Sequence, residues 1–199
     1  FLIYDMPHLI KSVRNNLLNG DFEINNRRIV SINDIKKAYE IDANNTALAM
    51  IKITPTHLNP NPFQKMNCKL AIQLLSNSVS AAIKTCIATG EIKSSTAINT
   101  ANFIDVVNKM FDSSNSKNLC DPNPNRKPMS NRNPQIFENL EKAKQLFKNT
   151  IKICHRTKKI SIPPCFIGIV WTTTAIQQLY ESEKLEMSTV VPSTNIEYF

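Results

Sequence analysis

Glycine is scarce in this chain: three residues, at positions 20, 90 and 168. That scarcity excludes the Gly-rich loops that wrap phosphate in backbone N–H groups. Neither G-x-x-x-x-G-K-[ST] nor G-x-G-x-x-G occurs. A nucleotide site here must be built largely from side chains on helices. Cysteine pairs are missing too. The five cysteines stand alone at positions 68, 86, 120, 154 and 165, and none has CxxC spacing. A zinc site is not expected, and an odd count without a framework fits a reducing compartment. Cys68 and Cys86 lie in helical patterns and read as small core residues. The three histidines, at 8, 57 and 155, are scattered. No signal peptide is visible, and no apolar run is long enough to span a bilayer, so no membrane association is expected.

What is present is a 199-residue chain, 42% hydrophobic, with a formal net charge of +8 and a pI near 9.3. The length suits one good-sized domain, or a small domain and part of another. The hydrophobic fraction is enough to bury a core. The positive balance favours a polyanionic partner without requiring one. The chain opens inside an apolar run with no initiator methionine, which is expected of a piece of a longer protein.

That opening is the most informative stretch. Phe1 to Tyr4 is a short apolar run of the kind found in buried strands. Asp5 follows, then Pro7 at a first helical position, where its missing N–H costs nothing. Leu9, Ile10, Val13 and Leu17 fall on one helical stripe, with Lys11, Arg14 and Asn15 on another. A carboxylate at a strand's C-terminal end, followed by a basic helix, suits an acid that holds a divalent metal beside a phosphodiester. The plainer reading is that Asp5 only caps the helix.

Along the rest of the chain, Gly20 ends the first helix. Phe22 to Val30 reads as one or two short strands around a turn at Asn25-Asn26. Ser31 and Asp34 form a loose capping box before a helix that extends toward Lys52. Thr54-Pro55 and the Pro-rich run His57–Pro62 form a loop. One long helix is expected from Phe63 to Thr89, stopped by Gly90, and another from Thr96 to Asp112. Residues 113–134 are polar and read as a flexible surface loop. Helices are expected again over Gln135–Cys154 and Phe166–Tyr180, with a polar loop containing Lys158-Lys159 and Pro163-Pro164 between them.

The string Asp5-Met-Pro-His-Leu-Ile-Lys-Ser-Val-Arg-Asn15 resembles the Asp-x-Pro-His-Leu-x-Lys-x-x-Arg-Asn segment of P-element-like transposases, including the THAP-type transposases of animals. Two further stretches resemble the same family in the same order. One is Leu58-x-Pro60 with Lys65-Met-Asn-Cys-Lys-Leu-Ala-Ile-Gln-Leu-Leu-Ser76, where Cys68 departs from the family's usual Val. The other is Phe111-Asp-Ser-Ser-Asn-Ser116. The run Phe166-Ile-Gly-Ile169 is a weaker match to a later helix start.

The resemblance implies a mainly α fold: a helical insertion domain attached to a partial RNase H-like α/β element. The expected limits are 1–30 for the catalytic part, 31–183 for the GTP-binding-type insertion and 184–199 for a tail leading back. Asp5 would be the second of three catalytic, Mg²⁺-binding acids, with His8, Lys11, Arg14 and Asn15 close to DNA. In the family the third acid lies in an Asp-x-x-Glu segment. No such segment follows Tyr180, and Glu181, Glu183, Glu186 and Glu197 fit it poorly. The piece alone should therefore not cut DNA.

GTP is the implied cofactor, held by Lys65, Lys69, Phe111, Asp112 and Asn115. The residue types suit that role. Two lysines four apart can meet phosphates from one helix face. A carboxylate accepts the N1–H and amino pair of guanine, a pair adenine cannot offer. Phe111 can stack on the base, and Asn115 can add a polar contact. The plainer alternatives are a solvated lysine face, a core phenylalanine, and turn residues at 112 and 115. The implied whole is a nuclear DNA transposase acting on transposon ends, homo-oligomeric at full length, with binding but no hydrolysis of GTP expected of this piece. The alternative is a domesticated, inactive DNA-binding relative.

Overall fold

The computed structural model describes residues 1–45, 48–116 and 118–190. The chain is mainly helical with one small antiparallel sheet. Helix α1 (Met6–Asn19) buries Leu9, Ile10, Val13 and Leu17, the stripe its sequence displays. It runs into strand β1 (Gly20–Ile24), which turns through Asn25 and Asn26 into β2 (Arg28–Val30). Both asparagines take left-handed backbone angles, φ 51° and 53°, as a tight hairpin of this hand requires.

Helix α2 (Ile32–Ala43) begins at Ser31, whose hydroxyl accepts from the Asn33 amide at 3.3 Å. It stops well short of Lys52. The buried Asp42 carboxylate accepts the amides of Ala49 (2.7 Å) and Met50 (2.9 Å), folding the chain back on itself. Asp34 plays no capping part. It turns inward and accepts hydroxyl bonds from Thr96 and Thr100, 62 and 66 residues further along the chain.

The single helix expected over Phe63–Thr89 is instead three: α4 (Pro62–Lys65), α5 (Cys68–Leu74) and α6 (Asn77–Ala88), preceded by a short α3 (Pro55–Leu58). Asn67 causes the first break. Its side-chain oxygen accepts from the Lys69 (2.9 Å) and Leu70 (3.4 Å) amides and starts a new helix. Cys68–Ala88 is apolar enough, at a mean hydropathy of 1.3, to cross a bilayer by length and composition. Here that stretch is interrupted near Leu75, and Ala71, Leu74, Val79, Ile83 and Cys86 pack into the core.

Helix α7 (Ala97–Ser114) and α8 (Gln135–Lys148) are joined by the long polar segment, which contains one 3₁₀ turn at Pro124–Arg126. α8 ends early. Thr150–Cys154, expected as its last turns, is strand β3, followed by β4 (Ile160–Ser161) and the long α9 (Pro164–Val190). The run Thr-Ile-Lys-Ile has the β-branched alternation that a sheet accepts. β3 pairs with β1 from Gly20↔Cys154 to Ile24↔Thr150, giving the order β2-β1-β3-β4. That approach requires glycine at 20, where a Cβ would lie 2.5 Å from the Ile153 carbonyl oxygen.

Phe22 of β1, Phe103 of α7, Phe147 of α8 and Phe166 of α9 meet at the centre, with ring centroids 5.1–5.8 Å apart. One apolar core runs from Met6 to Ile169, across the boundary expected at residue 30.

The opening apolar run is a correction. Residues 1–5 enter no sheet ladder, and Phe1 to Tyr4 are exposed, Phe1 at 74%. They lie along α9 instead. The Tyr4 amide donates to Thr172 Oγ1 at 3.0 Å, and the Tyr4 ring faces Trp171. An apolar run supplies strand propensity but no partner strand, and none stands beside it among the described residues. The tail from 191, including Glu197, lies outside the described residues.

Candidate functional site

Asp5 caps α1. Its carboxylate accepts the His8 amide at 3.3 Å and contacts the His8 ring, and both side chains are well exposed. Hydrogen bonding from His8 holds the Asp5 carboxyl below its usual range, with a smaller contribution from the charge of Lys11. A hydrated, anionic carboxylate is chemically fit to ligate a hard divalent cation. It stands alone, however. Among the described residues no cluster of three His, Cys, Asp or Glu could hold a metal.

The polar residues of α1 divide. His8 and Lys11 remain at least partly exposed. Arg14 is fully buried, a correction to the expectation that it lies against DNA. Its Nη2 donates to the carbonyls of Lys65 (3.0 Å), Gln64 (3.4 Å) and Asn67 (3.4 Å), while Nε and Nη1 have no partner. Burial depresses its pKa. Asn15 joins it, donating to the Lys65 carbonyl at 3.1 Å. Both side chains therefore hold the α4–α5 connection against α1.

That connection carries Lys65 and Lys69, and here the helix spacing fails. Lys65 ends α4 and Lys69 sits in the first turn of α5, with the break at Asn67 between them. They do not share one continuous helix face.

Phe111, Asp112 and Asn115 do come together, at the end of α7. With Pro7, Asp121 and Arg126 they line a cleft of about 400 Å³. A second cleft, about 330 Å³, contains Asp5 and shares Pro7 and Asn115 with the first. The start of α1 and the end of α7 thus both border the two clefts. Phe111 is half-buried, with one side packed on the core.

Asp112 is buried and engaged. Its Oδ1 accepts from Arg126 Nε at 2.9 Å; its Oδ2 accepts from Asn123 Nδ2 at 3.0 Å and Asn108 Nδ2 at 3.3 Å. Arg126 and Asn123 belong to the segment expected to be a loose loop. That segment is fastened down, also by Asn139 Nδ2 donating to Asn125 Oδ1 at 2.9 Å. Sequence reasoning missed these residues because a polar run reads as solvated. The available signal was Asn123-Pro-Asn-Arg126, where side chains can close Asx turns and a Pro-initiated 3₁₀ turn. Arg126 also borders a third cleft, about 460 Å³, with Lys52, Asn108 and Lys109.

Residues 7–127 match the family described as TNP-like, GTP-binding insertion domain. The transposable element P transposase of Drosophila melanogaster is 34% identical over 118 residues, which are 59% of this chain and 15% of that protein. In the solved Drosophila P element transposase strand transfer complex, one chain superposes with a TM-score of 0.79 at 26% identity. That match covers 94% of this chain and 41% of that one. The chain thus spans well under half the length of the relatives it matches.

Proposed function

The chain belongs to the TNP-like, GTP-binding insertion domain family, and from that membership we propose that it binds GTP in the cleft at the end of α7. Phe111 lies against the base, Asp112 reads its N1–H and amino edge, and Asn115 contributes a polar contact. The observation that carries this reading is the convergence of these three side chains on one cleft within the matched region. Asp112 supplies the specificity, because a carboxylate accepts two donors from guanine and meets an acceptor at adenine N1. Lys65 and Lys69 line none of the three clefts described above. They serve the phosphates only if the nucleotide extends past Pro7 along α1.

In the parent protein we place this domain beside DNA, in a P-element-like transposase of the nucleus. The net charge of +8 and the exposed or half-exposed His8 and Lys11 support a phosphodiester partner. Asp5 is the proposed metal-binding acid. Mg²⁺ there would polarise a phosphodiester oxygen, with its remaining ligands drawn from outside the described residues. This chain presents the Asp5 carboxylate at the start of α1, positioned by its bonds from His8.

The test is calorimetric titration of the chain with GTP and ATP, with inorganic phosphate monitored. Saturable GTP binding, at least about tenfold weaker ATP binding and no phosphate release are expected. Asp112→Asn replaces one acceptor oxygen by a donor, and should weaken GTP at least about tenfold while leaving ATP little changed. Equal affinity for the two nucleotides in the unmodified chain would remove the guanine reading.

A further inference from the structure

The carboxylate that would read guanine is already being read. Three N–H donors converge on Asp112: Arg126 Nε on Oδ1, and the Asn123 and Asn108 amides on Oδ2. A guanidinium beside a carboxylate offers the same kind of donor edge as guanine, N–H groups held in one plane by conjugation. The Asp112 side chain is 6% exposed in this arrangement, so no second set of donors can reach it while Arg126 stays. Arg126 itself is 51% exposed and ends the 3₁₀ turn Pro124–Arg126 on a connection between helices.

We propose that Arg126 is an internal stand-in for guanine, which must leave Asp112 before the nucleotide base can bind. This rests on the guanine reading of the cleft. At the carboxylate the N–H of the Arg126 guanidinium gives way to the neutral N–H donors of guanine, so hydrogen bonding is replaced while the ion pair is given up. Asp112 keeps hydrogen-bond donors in both states, and an empty cleft does not leave a buried, unpaired anion. Binding and the seating of the 118–134 segment are thereby coupled. Each molecule of base that enters releases Arg126, and the closed segment competes with every ligand that needs Asp112.

Two measurements test this, both with guanosine, which carries no phosphate to attract a freed arginine. In the first, the unmodified chain, Arg126→Ala and Asp112→Asn are titrated with guanosine and GTP. Removing the competitor should tighten guanosine about tenfold, and Asp112→Asn should abolish the gain when combined with Arg126→Ala. In the second, the unmodified chain is digested briefly with trypsin with and without saturating guanosine. Cleavage after Arg126 should be several-fold faster with guanosine and unchanged by adenosine.

If the unmodified chain binds GTP through Asp112, but Arg126→Ala leaves guanosine affinity unchanged or weakens it, the exchange is wrong and the guanine reading survives. Unchanged cleavage at Arg126 under saturating guanosine has the same meaning, and does not depend on a variant folding. If no form binds guanine nucleotides, the reading of the cleft fails and the exchange fails with it.

Discussion

Arg14 is a guanidinium sealed inside the protein without an ion-pair partner among the described residues. Its one fully used nitrogen ties three carbonyls of the α4–α5 connection to α1. Truncation would open a cavity and take a donor from all three carbonyls. Arg14→Ala is therefore expected to cost about 3 kcal/mol in urea unfolding. An effect below about 1 kcal/mol would return Arg14 to the surface role that its place in a basic helix first suggests. A second residue-scale contrast concerns thiols. Bonding from Thr157 and the backbone lowers the Cys154 thiol to about 7, whereas burial pushes Cys165 up to about 11. The Cys154 thiolate is thus fully formed above about pH 8 and lost as pH falls through 7. Alkylation by iodoacetamide, followed by peptide mass spectrometry, should modify Cys154 with a midpoint near pH 7 and leave Cys165 untouched in the folded chain.

At the scale of elements, the helices with a single apolar stripe were legible and the breaks were not. α1, α2 and α7 bury the periodic residues their sequences display. The Phe63–Thr89 run was misread because Asn67 is a weak helix residue in the interior and a strong one at an N-cap, and periodicity alone does not distinguish the two. β3 was misread because Thr150–Cys154 continues a helical pattern until β1, 126 or more residues upstream, supplies its ladder. The close pairing of β1 and β3 makes Gly20 indispensable. Gly20→Ala should cost about 2–3 kcal/mol, since backbone must move to admit the methyl group. Gly90→Ala should cost only about 1–2 kcal/mol, from its positive φ of 78° alone, because no atom lies within 4 Å. Thermal or urea unfolding of the two variants checks the order.

For the molecule as a whole, the four-phenylalanine centre joins β1 to α7, α8 and α9. Unfolding should therefore be one transition, with near- and far-ultraviolet circular dichroism superimposing along a urea series. A chain lacking residues 1–30 should not fold, since it loses Phe22 and the central strand. Two separated transitions would support the division at residue 30. The sequence by itself determined the helical class, the absence of a phosphate loop and the family resemblance, because these depend on residue type and short-range order. Only the tertiary structure decided that Arg14 faces inward, that Lys65 and Lys69 part company, and that Arg126 closes on Asp112. Burial and partner choice are set by elements far apart in the chain, and a polar residue looks the same in sequence whether water or a buried carboxylate awaits it.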